Sequence, residues 1–139
     1  MLLPCAGAAK EYKLILAGHA HIDMDWMWSY QETVASTLAT FRTVLNLMAE
    51  YPEFCFSQSQ ASVYKMVEEY DPEMMEEIKA RIHEGRWEIS ASVWTETDKN
   101  MPNGESLSRH ILYTKRYLGK IGGSKKSESS ESSGGGIGD

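Results

Sequence analysis

The chain has 139 residues, 42% hydrophobic and 24% charged, with a formal net charge of −6 and a pI near 5.2. This is the composition of a soluble domain long enough to bury a core. No apolar run approaches the roughly 20 residues of a bilayer span, and no Lys/Arg stripe interleaved with aromatics offers a nucleic-acid surface, so neither membrane nor nucleic acid is an expected partner.

Residues 1–11 read as a leader. A signal peptide is not expected: the start is not basic, and Pro4 breaks a short apolar run. Cys5 and Cys55 stand outside any Cys–x–x–Cys spacing and read as free thiols of a reducing compartment, which makes the cytoplasm the expected location. Tyr12 to Gly18, built around Leu14-Ile15-Leu16-Ala17, predicts a buried strand.

The stretch Gly18-His19-Ala20-His21-Ile22-Asp23-Met24-Asp25-Trp26-Met27-Trp28 follows at once. In extended backbone alternate side chains project to one side, so His19, His21 and Asp23 are expected to point into one cleft. Imidazole and carboxylate together suit a divalent metal such as zinc. The ordinary alternative is a pair of unrelated histidines, one exposed and one hydrogen-bonded. Trp26 and Trp28 are flat, amphipathic rings suited to stacking on a ligand, with a place in the core as the alternative.

Ser29 with Glu32 is a capping box opening a helix. Val34, Leu38, Phe41, Leu45 and Met48 form its apolar face, and Tyr51-Pro52 ends it. Phe54 to Ser57 predicts a second strand. Ser57 to Gln60 then reads as a loop, with Ser57 and Gln60 as a second capping box before a helix carrying Val63, Met66, Val67 and Tyr70. Asp71-Pro72 starts the next helix, with Met75, Ile78 and Ile82 inward and Gly85 as its stop. The charges from Glu73 to Arg86 read as a solvated face, with His83 on the surface.

Arg86 to Trp94 is the third strand, with Trp87, Ile89, Ala91 and Val93 on one face and Glu88, Ser90 and Ser92 on the other. A loop from Thr95 to Gly104 leads to a helix capped by Asn103, with Leu107, Ile111 and Leu118 as its buried face and His110 as a structural residue. From Gly119 to Asp139 the composition shifts to Gly, Ser, Lys and Glu, which predicts a disordered tail. The order β-α-β-α-α-β-α implies an α/β fold with a parallel sheet and right-handed crossovers. Ligands of such sheets bind beyond the carboxyl ends of the strands, where His21, Asp23, Ser57 to Gln60 and Thr95 to Gly104 would gather.

Gly18-His19-Ala20-His21-Ile22-Asp23 followed by Trp26 resembles the opening signature of glycoside hydrolase family 38, the retaining α-mannosidases. Gly85-Arg86-Trp87-Glu88-Ile89, followed by Trp94-Thr95-Glu96-Thr97-Asp98-Lys99-Asn100-Met101-Pro102-Asn103-Gly104-Glu105-Ser106, is similar to a second block of that family. The resemblance runs from about Tyr12 to Leu118.

It implies the start of a seven-stranded α/β barrel and one zinc ion held in part by His21 and Asp23, with His19 in a supporting place. It also implies that Trp26 packs against mannose and that Asp98 lies near the substrate pocket of an enzyme acting on mannose-containing oligosaccharides. The family's nucleophile would lie beyond Leu118, so no catalytic residue is assigned. On this reading residues 12–118 are the N-terminal portion of the catalytic domain, a fragment expected to be inactive alone. Two alternatives stand beside it. One is a metal-dependent amidohydrolase using His19 and His21 with a metal-activated water. The other is a non-catalytic carbohydrate-binding fragment.

Overall fold

The computed structural model describes residues 14–121, with all their side chains except those of Ala91 and Ser92. The element order is β1 (Gly18–His19), α1 (Tyr30–Glu50), β2 (Phe56–Gln60), α2 (Ala61–Tyr70), α3 (Pro72–His83), β3 (Trp87–Val93) and α4 (Gly104–Ile121). The expected succession of strands and helices is present. The three strands form one parallel sheet in the order β1-β2-β3, so the α/β class holds. Among the described residues the sheet is open, with β1 and β3 at its edges.

Helix starts follow the local chemistry. The Ser29 side chain accepts from Glu32 N, while the Glu32 carboxylate accepts from Ser29 N at 2.8 Å. These bonds hold the Glu32 carboxyl below its usual range. Asp71 caps α3 by accepting from Met74 N at 2.9 Å, with Pro72 at the first helical position. Asn103 caps α4 through Ser106 N at 2.9 Å. Each satisfies a backbone donor that the first turn leaves free. Gly85, at φ 74°, takes the left-handed conformation that turns the chain from α3 into β3.

The core lies between the sheet and α1, α2 and α3. At its centre Phe41, Phe56, Tyr64 and Trp87 meet edge to face or tilted, with Phe56 and Trp87 ring centroids 4.7 Å apart. Trp87 Nε1 donates to Tyr64 Oη at 2.9 Å, so the two polar atoms of this cluster satisfy each other. Burial pushes the Tyr64 phenol far up, which keeps it neutral as that acceptor. Arg86 donates from Nη2 to Met48 O at 2.6 Å and Tyr51 O at 3.0 Å. Its cation satisfies carbonyls at the C-terminal end of α1 and ties that helix to the start of β3.

The structure departs from expectation at six places. The first strand is only Gly18–His19, and Leu14, Ile15 and Leu16 are 81%, 78% and 81% exposed. Consecutive apolar residues need cover on both faces of a sheet, and β1 is an edge strand that meets β2 over two residue pairs. Tyr12 lies outside the described residues, as does the leader 1–11.

The second strand begins at Phe56 and takes in Ser57 to Gln60, which is therefore strand and no loop. Gln60 precedes α2 with no side-chain capping bond, so the second capping box does not form. In α2 the buried aromatic is Tyr64, while Tyr70 is exposed beside Tyr30. The buried face of α4 runs through Thr114, Tyr117 and Ile121, and Ile111 is about half exposed. That helix also continues through Gly119 to Ile121, past the expected start of the tail. The rest of the tail lies outside the described residues, as do Cys5 and the placing of the Ala91 and Ser92 side chains. Cys55 is exposed and free.

Candidate active site

The site starts from two buried glutamines. Phe56, Gln58 and Gln60 alternate inward along β2, with Ser57 and Ser59 between them less buried. β1 ends at His19, yet the chain beyond it stays tied to β2. Gln58 Nε2 donates to Ala20 O at 3.0 Å, and Gln60 Nε2 donates to Ile22 O at 2.7 Å. Side-chain amides thus take over where the backbone ladder stops. Gln58 Oε1 also accepts from Ser59 N at 2.7 Å, at the irregular register where β2 meets β3.

This tether sets the alternation of the next segment. Ala20, Ile22 and Met24 pack on the core. His21 and Asp23 therefore face the carboxyl edge of the sheet, as the alternating pattern predicts. His21 Nε2 and Asp23 Oδ1 are 2.9 Å apart, with side chains 57% and 41% exposed. The third residue of the predicted cleft goes elsewhere: His19 Nδ1 is 2.9 Å from Ser57 O, which ties that ring to the β2 backbone.

Glu96 completes the arrangement; the resemblance names Asp98 in this loop and gives Glu96 no role. Glu96 Oε2 is 2.5 Å from His21 Nδ1, and Glu96 Oε1 accepts from Ser59 Oγ at 2.6 Å. The loops after β1 and β3 and the end of β2 thus meet at one edge, as the topology requires. The available signal was position alone: Glu96 is the first carboxylate after β3.

The hydrogen bond to Asp23 and the charge of Glu96 raise the His21 pKa above the ordinary imidazole value of 6.5. A raised folded pKa stabilises the fold below the unfolded value, and the contribution is lost as pH rises through the folded one. NMR titration of the metal-free chain should therefore place His21 above 6.5, with Glu96→Gln lowering it. Because the pair is exposed, its contribution to stability should be small, and it should fade as pH rises through that range.

The turn carrying the tryptophans is clamped onto α1. Thr33 is fully buried, and its hydroxyl donates to Asp25 Oδ1 at 3.0 Å. It accepts from Trp28 Nε1 at 2.9 Å and from Asp25 N at 3.2 Å. These bonds hold Asp25 at φ 50°, a left-handed conformation that Asp tolerates better than most residues. Trp26 is 72% exposed and meets Trp28 edge on at 6.4 Å. The core alternative does not hold for Trp26. Trp94 packs edge on against Tyr117 at 5.7 Å.

Asp98 is exposed, and its Oδ1 accepts from Asn100 N at 2.9 Å, which shapes the loop. Next to Glu96 opens a cavity of about 560 Å³ lined by Ser59, Val93, Thr97, Lys99, Leu107 and His110 among others. His110 is half-buried there, and its Nδ1 has no hydrogen-bond partner among the described residues.

The model of the glycosyl hydrolases family 38 N-terminal domain matches residues 11–130. The chain belongs to this family. It is 40% identical over 111 residues to alpha-mannosidase G of Dictyostelium discoideum, covering 80% of this chain and 10% of that one. Against alpha-mannosidase 2C1 of Homo sapiens it is 31% identical over 112 residues, covering 81% and 11%. Against alpha-mannosidase of Saccharomyces cerevisiae it is 32% identical over 109 residues, covering 78% and 10%. The chain thus spans about a tenth of the length of the curated relatives it matches. Family 38 membership, with His19 held by a β2 carbonyl, leaves the amidohydrolase alternative without support.

Proposed function

We propose that this chain is the opening part of the catalytic domain of a zinc-dependent, retaining α-mannosidase that acts on mannose-terminated oligosaccharides. The observation that supports this most is the meeting of His21 Nε2 and Asp23 Oδ1 at the carboxyl edge of the sheet, in a member of family 38. The three strands would open a seven-stranded α/β barrel.

The donor chemistry fits zinc, which takes imidazole nitrogen and carboxylate oxygen. The pair is exposed enough to be reached and close enough to share one ion. Among the described residues no group of three His, Cys, Asp or Glu side chains is placed to hold a metal, so His21 and Asp23 stand as two corners of a larger site. Zinc bound there would supply Lewis-acid charge and orient sugar hydroxyls. Trp26, exposed and three positions after Asp23, would offer its face to the apolar side of a mannose ring. Asp98 would border the pocket from the rim of the Glu96 loop.

Retention requires two carboxyls about 5 Å apart, one as nucleophile and one as acid/base. Neither role is assigned among the described residues. None of the described helices is long and apolar enough to cross a membrane. A cytoplasmic setting is part of this proposal and rests on the reading of Cys5 and Cys55 as free thiols.

Calorimetric titration tests the reading. Zinc added to the full chain should bind weakly, since affinity depends on ligand count, and His21→Ala or Asp23→Ala should abolish the binding. Trp26→Ala should weaken mannose binding and leave zinc binding alone. Zinc affinity unchanged by His21→Ala would overturn the proposed centre. The chain by itself should not hydrolyse an aryl α-mannoside. Clear turnover abolished by His21→Ala would show that the chain holds a complete active site.

A further inference from the structure

We propose that Glu96 is a positioning residue for His21: it holds Nδ1 so that Nε2 is presented beside Asp23 as a metal donor. The inference rests on the zinc reading above and adds a residue and a role to it. An imidazole has two nitrogens on diverging sides of the ring. A histidine that ligates a metal through one needs the other fixed, most often by a carboxylate or a carbonyl, or the ring turns and the lone pair points elsewhere.

The geometry here has both halves. Glu96 Oε2 lies on Nδ1, and Asp23 Oδ1 lies 2.9 Å from Nε2. Glu96 is thereby on the far side of the ring from the point where Nε2 and Asp23 converge, which makes it a partner of the ligand and no ligand itself. Its own orientation is fixed in turn, because Oε1 accepts from Ser59 Oγ at 2.6 Å. Ser59 belongs to β2, Glu96 follows β3 and His21 follows β1. The ring is therefore aimed by the three strand ends together, and correct aim depends on the sheet having formed.

A stabilising surface ion pair is the ordinary account of the same contact. The two side chains are 57% and 34% exposed, and exposed pairs contribute little to stability. The two accounts separate on what Glu96→Ala changes.

The test uses the full chain and the variants Glu96→Ala, Glu96→Gln and His21→Ala, with circular dichroism to confirm folding. The first readout is the nitrogen NMR spectrum of His21 in metal-free protein at alkaline pH, where the ring is neutral. Both nitrogens face a carboxylate, and the shorter contact to Glu96 should hold the single proton of the neutral wild-type ring on Nδ1 against the competing Asp23; Glu96→Ala should move it to Nε2, where Asp23 accepts it. The second readout is zinc affinity by calorimetry. Glu96→Ala should weaken it by about 10–100-fold, the usual cost of removing such a partner. Glu96→Gln, which keeps an acceptor and loses the charge, should fall between.

An unchanged tautomer and unchanged affinity in Glu96→Ala would overturn the proposal while leaving a His21-dependent zinc site intact. A tautomer change without His21-dependent zinc binding would instead overturn the metal reading, and with it the metal-directed part of this role.

Discussion

Trp87→Ala should lower the unfolding free energy by about 3–5 kcal/mol, the range for deleting a large aromatic from a packed core. Trp87 is among the largest fully buried side chains, and it touches three other rings of the central cluster. Its loss removes dispersion contacts with Phe41 and Phe56 and leaves Tyr64 Oη buried without its donor. A small domain has only about 5–15 kcal/mol in total, so this variant should be close to unfolding at room temperature. Trp87→Phe should keep most of the ring contacts and lose the hydrogen bond, at a cost of about 1–2 kcal/mol. Urea titrations of the three proteins check the order. A cost below about 1 kcal/mol for Trp87→Ala would mean that the cluster is not the centre of the fold.

Three of the four described helix starts can be read from the chain because the cap lies in the local sequence, α2 being the exception. Ser29 with Glu32, Asp71 with Pro72, and Asn103 supply caps whose bonds form within a few residues of sequence. The apolar spacing of α1 is a property of that helix alone, and Val34, Phe41, Leu45 and Met48 are buried as it predicts. What could not be read depends on neighbours. The burial of Leu14 to Leu16 required a partner strand, and β1 has one only on the β2 side and for two residue pairs. The stripe Leu107 and Ile111 on α4 is apolar, yet it lines the cavity while Thr114 takes the buried position.

The candidate site divides in the same way. His21 and Asp23 are two positions apart in sequence, and the period of extended backbone brings them together. Glu96 reaches His21 across more than seventy residues, and no spacing rule selects it over Asp98. Gln58 and Gln60 do not announce a buried strand, since polar side chains seldom fill a core. They do so here because the carbonyls of Ala20 and Ile22 lie opposite them and need donors.

Gln58→Leu should cost about 2–3 kcal/mol, more than Gln60→Leu, although both residues are fully buried. Leucine has similar bulk, so the difference lies in the polar atoms. At position 58 the substitution leaves Ala20 O and Ser59 N without the partners they have at 3.0 and 2.7 Å. At position 60 it frees Ile22 O, but it also removes Gln60 Oε1, a buried acceptor that has no partner among the described residues. The penalty and the relief oppose each other there, so the net loss should be about 1 kcal/mol or less. The functional consequence separates Gln58 from Trp87. Gln58 tethers the segment that carries His21, so Gln58→Leu should weaken zinc binding even where the protein remains folded. Trp87→Phe should lower stability and leave zinc affinity unchanged. Calorimetry on both variants below their unfolding transitions reads this directly. Equal zinc affinities would show that the pair is held by its own loop and owes nothing to the buried amides.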